Sequence, residues 1–163
     1  MTSHVFPDPS HDHQHCAAEI LASAEKRCRQ YNARLTEHRK QVLSILAAVH
    51  QPLGAYEILE RFKLVDDKRP APAIIYRALD FLMAHGLVHK IERLNAFTAC
   101  THAGVDHHVQ FLICTQCQAV AEIANSSIDN ALIAGAKSVG FSITSPIVEI
   151  EGLCPNCQSK DQS

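Results

Sequence analysis

At 163 residues, with 47% apolar and 20% charged residues and a net charge of −2, the chain is long enough for one ordinary domain or two small ones, and its composition excludes a disordered protein. No run of eighteen apolar residues offers a membrane span, and residues 1–16 lack the apolar core of a signal peptide. A soluble, cytoplasmic protein with no membrane partner is therefore expected.

Charge is unevenly spread. From Lys26 to Cys100 there are 13 Lys and Arg against 7 Asp and Glu, net +6, while the remainder carries −8, which directs any anionic partner to the first half alone. Seven cysteines is an odd number, and four of them form two Cys-x-x-Cys pairs. That usage points to metal thiolates in a reducing compartment, not to a secreted disulfide framework.

Residues 1–15 carry His4, His11, His13 and His15 among Pro, Asp and Ser, with little to bury. They are read as a disordered tail, with a weak auxiliary metal-binding tail as the other reading. From Cys16 to Asn32, Ala17, Ile20, Leu21, Ala24 and Cys28 recur at helical spacing, which makes Cys28 a small core residue and not a ligand. Thr36 is a good N-cap for a second helix with Val42, Leu43, Ile45, Leu46 and Val49 inward, ending before Pro52. After Gly54 a short third helix buries Ala55, Ile58, Leu59 and Phe62. A polar loop, Asp66 to Pro70, follows.

Pro72 opens a fourth helix whose stripe is Ile75, Leu79, Leu82 and Met83, and Gly86 supplies its left-handed stop. Ile74, Tyr76 and Arg77 lie near its N-terminal end, where a DNA-reading helix presents its contacts. Leu87 to Leu94 and Phe97 to Thr101 read as two strands joined at Asn95-Ala96, and helices followed by such a hairpin make a winged helix-turn-helix. Within it Tyr56 and Arg77 are the candidate DNA contacts, suited to phosphate, thymine-methyl or guanine, although each could be an ordinary surface residue.

The second half changes character. Val109 to Ile113 and Ala119 to Ile123 flank the first Cys-x-x-Cys as strands, Ser126 or Ser127 caps a helix that Gly140 ends, and Phe141 to Ile150 alternates as a half-buried strand should. A ββαβ sheet of about 60 residues is marginal alone, so a metal staple or a partner subunit is expected. The fold class expected is α+β. The tail spans 1–15, the winged-helix DNA-binding domain 16–101, a hinge 102–106, and a zinc-stapled α/β dimerisation domain 107–163.

Cys114, Cys117, Cys154 and Cys157 carry the most specific signal. Each Cys-x-x-Cys makes a knuckle presenting two sulfurs to one ion, and two knuckles complete the closed tetrahedron of a structural zinc site. A redox-active pair would need a helix N-terminus in a thioredoxin-like setting, which neither has. The ligands left over are His89, Cys100, His107 and Glu122, with His102 and His108 in reserve. His89 and Cys100 fall on the wing, and His107 and Glu122 follow it, so one ion bound by all four would clamp the two domains together.

Arg34-Leu35-Thr36-x-x-Arg39-x-x-Val42-Leu43, Ala55-Tyr56-Glu57-Ile58-Leu59, Ile75-Tyr76-Arg77-Ala78-Leu79, Gly86-Leu87-Val88-His89-Lys90 and the paired Cys-x-x-Cys resemble the bacterial ferric uptake regulator family, over about residues 17 to 158. Its zinc uptake branch is the nearer match. By that resemblance His89, Cys100, His107 and Glu122 are the sensing zinc ligands, giving two ions per subunit, though either imidazole of His107-His108 could reach the ion. The iron branch carries His-His-Asp-His before its first Cys-x-x-Cys, whereas this chain reads His107-His108-Val109-Gln110, and Ile74 stands where the family often has a hydroxyl.

The resemblance implies a homodimeric repressor that binds an A·T-rich dyad in double-stranded DNA when zinc-loaded and turns off zinc-uptake genes. The alternatives are an iron- or peroxide-responsive regulator of the same family, or a zinc buffer or carrier without DNA binding. A zinc hydrolase is disfavoured because no His-Glu-x-x-His or similar open site is present, so no enzyme is expected.

Overall fold

The computed structural model describes Phe6 and residues 13–49, 51–62, 70–101 and 109–159, with the backbone alone at 13–16. Residues 102–108, and with them the expected hinge, His102, His107 and His108, lie outside the described residues, as do residues 63–69, which include all of the polar loop but Pro70. The chain divides into two compact units, Pro7–Val105 and Asp106–Ser163, the latter together with Met1–Phe6. Among the described residues no helix is long and apolar enough to cross a membrane.

The N-terminal unit is built from α1 (His13–Gln30), α2 (Glu37–Ala47), α3 (Ala55–Arg61), α4 (Pro72–Ala84) and a hairpin of β1 (Val88–Ile91) and β2 (Ala96–Ala99), a winged helix-turn-helix. Helix α1 starts at His13, so the backbone of residues 13–15 is helical and not part of a disordered tail. It ends at Gln30, two residues short of expectation, because Asn32 takes a left-handed conformation (φ 50°). The periodic apolar residues do form the core: Ala24, Cys28, Val42, Leu43, Leu46, Ile58, Phe62, Ile75, Leu79 and Leu82 are buried together. Thr36 holds the N-cap position of α2, but its hydroxyl makes no capping hydrogen bond.

Helix α4 is punctuated as its sequence dictates. Pro72 stands in its first turn, where a missing N–H costs nothing, and Gly86 (φ 63°) turns the chain out of it. Arg27 of α1, itself buried, donates from Nε to the carbonyl of His85 at 2.6 Å and so satisfies a carbonyl at the end of α4. Arg39 of α2 lies over the Phe81 ring at 3.5 Å. These two cations fix α4 against the helices before it.

The hairpin is shorter than expected and its turn longer. Ile91 pairs with Ala96, so Glu92 to Asn95 form a four-residue turn closed by the Asn95 N–H to the Glu92 carbonyl at 3.1 Å. Asn95 (φ 46°) adopts the left-handed conformation usually left to glycine, which asparagine tolerates better than most residues. Leu53 and Phe97 exchange backbone hydrogen bonds of 2.9 and 2.8 Å, tying the wing to the segment between α2 and α3.

The C-terminal unit contains β3 (Gln110–Cys114), β4 (Val120–Ile123), α5 (Ser126–Ser138), β5 (Val148–Gly152) and a single turn, α6 (Pro155–Gln158). The sheet order is β4-β3-β5, with β3 antiparallel to β4 and parallel to β5. Two expectations are corrected here. Asn125, not Ser126 or Ser127, caps α5, its side-chain oxygen accepting the Ser127 N–H at 2.9 Å. The last strand begins at Val148 and not at Phe141, since Pro146 has no N–H to contribute to a ladder.

Candidate metal centres and nucleic-acid interface

The parallel pairing of β3 with β5 is what assembles the cysteines. Its last register pair, Cys114 with Gly152, brings the two knuckles to one end of the sheet, and the Thr115 N–H donates to the Gly152 carbonyl at 2.9 Å to lock them there. All four sulfurs of Cys114, Cys117, Cys154 and Cys157 lie within 4.8 Å of one another, and Cys117 Sγ is 3.7 Å from Cys154 Sγ. A tetrahedral ion with sulfur bonds of about 2.3 Å separates its ligands by about 3.8 Å, so the spacing fits such a site. Cys154 occupies the N-cap of α6. That turn is only four residues long and has no thioredoxin-like setting behind it.

The electrostatics of the cluster also suit a cation. Burial opposes ionisation of Cys114, but the N–H groups of Cys117, Cys154 and Gln116 point at its sulfur and bring its pKa down to about 6. The Cys154 N–H contact measures 3.4 Å. Burial pushes the Cys117 thiol up, and burial with the neighbouring sulfurs of Cys154, Cys117 and Cys114 pushes Cys157 up to about 12. One thiolate, Cys114, is thus ready-made, while Cys117 and Cys157 await a positive charge. Phe6 packs against this cluster, a contact that no spacing in the tail announced.

In the N-terminal unit the wing places His89 and Cys100 on one face. His89 is in register with Thr98, and Cys100, whose N–H donates to the Leu87 carbonyl at 2.9 Å, is the diagonal neighbour two residues on. A ring nitrogen of His89 and the sulfur of Cys100 lie within 4.8 Å of one another, with Cys100 fully buried and His89 Nε2 inaccessible to solvent. In the C-terminal unit Glu122 stands on β4, in register with Phe111. His107 lies outside the described residues.

The candidate DNA contacts are exposed on the helix-turn-helix. Burial of Ile75, Ala78, Leu79 and Leu82 leaves Tyr76 and Arg77 on the outward face of α4, and Tyr56 on α3 is 69% exposed. Ile74 is half-buried.

One residue of the C-terminal unit carries a role the sequence reading did not assign. Gln110 is fully buried on β3, its Nε2 donating to Asp129 Oδ1 at 2.8 Å and its Oε1 accepting the Asn125 N–H at 3.0 Å. Its only signal in the sequence is an amide within the run Val109-Gln110-Phe111-Leu112-Ile113.

Known proteins place this arrangement. The ferric uptake regulator family matches residues 30–151. The zinc uptake regulation protein of Escherichia coli (strain K12) is 34% identical over 140 residues, which cover 85% of this chain and 81% of that protein. Among solved structures, a zinc uptake regulator complexed with zinc and DNA superposes with a TM-score of 0.83 at 32% identity, covering 90% of this chain and 98% of that one. The holo form of XcZur superposes with a TM-score of 0.78 at 39% identity, covering 86% and 98%. The chain belongs to the ferric uptake regulator family.

Proposed function

We propose that this protein is a zinc-responsive transcriptional repressor, not an enzyme, which binds an A·T-rich dyad in double-stranded DNA as a zinc-loaded homodimer and represses zinc-uptake genes in the cytoplasm. The observation that carries this reading is the buried Cys100 thiol beside the His89 imidazole on the wing. A sulfur and nitrogen pair suits zinc and disfavours the harder iron(II) and manganese(II). The similarity to regulators solved with zinc and with DNA supports the same assignment.

In this reading each subunit takes two zinc ions. Cys114, Cys117, Cys154 and Cys157 hold a structural ion that staples the ends of the small sheet. His89, Cys100, His107 and Glu122 hold the regulatory ion, with His102 and His108 as the other imidazoles within reach in sequence. Because His89 and Cys100 belong to residues 16–101 and His107 and Glu122 to 107–163, occupancy links the winged domain to the dimerisation domain across the hinge at 102–106. Zinc and DNA then strengthen one another by the same factor.

The dimer is supported by the surface of the C-terminal unit. Among its described residues α5 has no buried side chain, and Val139, Phe141 and Ile147 are 79%, 64% and 62% exposed. Leu132, Ile133, Ile143 and Pro146, with Asp129 and Thr144, line an open cavity of about 150 Å³. Apolar surface gathered in this way marks a face covered by another chain.

DNA is engaged through Tyr56 and Arg77. Arg77→Ala should weaken operator binding by about 1–3 kcal/mol, roughly five- to 150-fold, at unchanged zinc content, as judged by fluorescence anisotropy. Unchanged affinity would remove Arg77 from the interface.

Loading the structural ion at neutral pH should release protons from Cys117 and Cys157, whose thiols are raised, while Cys114 is already ionised. Apparent zinc affinity at this cluster is therefore expected to fall with falling pH, about tenfold per unit for each proton displaced. The slope should steepen below about 6, where Cys114 also protonates. Competition with a chromophoric chelator on both sides of that pH tests this, and a flat profile would contradict it.

The function itself is tested by capturing genomic fragments with purified protein at two buffered free-zinc levels, with iron(II) and manganese(II) alongside. Zinc-dependent capture of an A·T-rich dyad is the expected result. Capture that follows iron, or that oxidation abolishes, would move the protein to the iron- or peroxide-responsive branch. No capture under any metal would leave a zinc carrier.

A further inference from the structure

The hydrogen bonds of Gln110 join two features that the proposed function uses separately, the ligand Glu122 and the apolar helix α5. Gln110 is fully buried, and its two polar ends point to the same short stretch of chain. Its oxygen accepts from the Asn125 N–H, three residues after Glu122, where β4 gives way to α5. Its nitrogen donates to Asp129 in the first turn of α5. Asn125 is in turn the residue whose side chain caps that helix.

The sheet register shows what this does. Gln110 stands opposite Ile123, and Phe111 opposite Glu122. Side chains alternate along a strand, so Gln110 and Glu122 lie on opposite faces of the sheet, with the start of α5 on the Gln110 face. The carboxylate cannot move along with the end of β4 without disturbing the Asn125 N–H that Gln110 holds. Breaking one partner of a buried pair also leaves the other unsatisfied, so the connection resists small displacements.

We propose that Gln110 is a positioning residue that holds Glu122 and the first turn of α5 as one rigid piece, so that metal at Glu122 and subunit pairing through α5 reinforce each other. This rests on the reading of Glu122 as a regulatory ligand and of α5 as part of the dimer face.

The hydrogen-bond pair can be reversed, which gives a test that general loss of packing does not mimic. In Gln110→Glu the carboxylate still accepts the Asn125 N–H but faces Asp129, another carboxylate. Asp129→Asn alone keeps an amide oxygen for Gln110 to donate to. The double variant restores a donor and an acceptor with polarity exchanged.

Full-length variants would be compared by the affinity for the second zinc ion, in competition with a chromophoric chelator, and by dimer dissociation in sedimentation at low and saturating free zinc. Zinc retained by the four cysteines serves as the control for folding. The expected pattern is a loss of about tenfold in second-ion affinity and of most of the zinc dependence of dimerisation in Gln110→Glu, little change in Asp129→Asn, and recovery to within about threefold in the double variant. A double variant no better than Gln110→Glu, or a Gln110→Glu protein equal to wild type, would overturn the proposal. Should Gln110→Glu fail to fold, Asp129→Ala, which removes one of the two bonds, carries the measurement with a smaller expected loss, and wild-type behaviour there would overturn it. A wild-type protein that binds no second zinc ion would sink the regulatory-site reading itself, and this inference with it, before any variant is compared.

Discussion

Cys114→Ser should abolish the folded, dimeric C-terminal unit. Cys114 ends β3 in register with Gly152, and its sulfur lies at the centre of a network reached by the N–H groups of Cys117, Cys154 and Gln116. The small sheet has β4 and β5 at its edges and leaves much apolar surface uncovered in the single chain. Such a unit is marginal without a staple. Apparent stabilisation by a structural zinc ion is about 10 kcal/mol or more, comparable to the whole stability of a small domain at about 5–15 kcal/mol. The variant is therefore expected to be monomeric or aggregated, with the C-terminal unit unfolded by circular dichroism and the four-cysteine zinc ion lost. A soluble, dimeric Cys114→Ser protein would show that the cluster is not what holds the sheet.

Cys100→Ser is expected to give the opposite separation. The change removes one sulfur from a buried position on the wing, leaving the backbone bond from the Cys100 N–H to the Leu87 carbonyl intact. The N-terminal core, built around Leu43, Leu46, Leu79 and Leu82, does not depend on that sulfur. A hydroxyl is a poor replacement for a thiolate as a zinc ligand, so the second ion should be lost at physiological free zinc while the four-cysteine ion and the dimer persist. DNA binding should then lose its zinc dependence, with affinity at saturating zinc falling by about a hundredfold, a coupling of about 3 kcal/mol. Normal zinc-dependent repression by Cys100→Ser would sink the regulatory assignment. The two cysteine variants together separate an ion that holds the fold from one that reports on metal.

Much of the N-terminal unit was legible because its signals are local. A 3.6-residue period picks out Val42, Leu43 and Leu46, and again Ile75, Leu79 and Leu82. Proline at Pro72 and glycine at Gly86 mark the ends of α4 through dihedral preferences that need no distant partner. The errors came where a side chain or a non-local bond overrode the local pattern. Asn95 and Asn32 took left-handed conformations without glycine, and Asn125 displaced the serines as the cap of α5. The alternation from Phe141 onward failed as a strand because alternation reports only which faces are apolar, whereas a strand also needs a neighbour's N–H and C=O groups.

The sequence by itself determined the chemistry on offer: two Cys-x-x-Cys knuckles, a histidine and a cysteine eleven positions apart on a hairpin, and a basic stretch in an otherwise acidic chain. Spacing of two residues between cysteines permits a knuckle whatever the rest of the chain does. Only the tertiary structure decided that Cys154 meets Cys117 across 37 residues at 3.7 Å, because that depends on β5 pairing in parallel with β3 after an intervening strand and helix. It also decided that Gln110 is a buried link to Asn125 and Asp129 and not a surface amide. The physical reason is the same in both cases. Dihedral preference and periodicity are properties of a few adjacent residues, whereas strand register and the satisfaction of a buried polar group are settled only when distant segments close on one another.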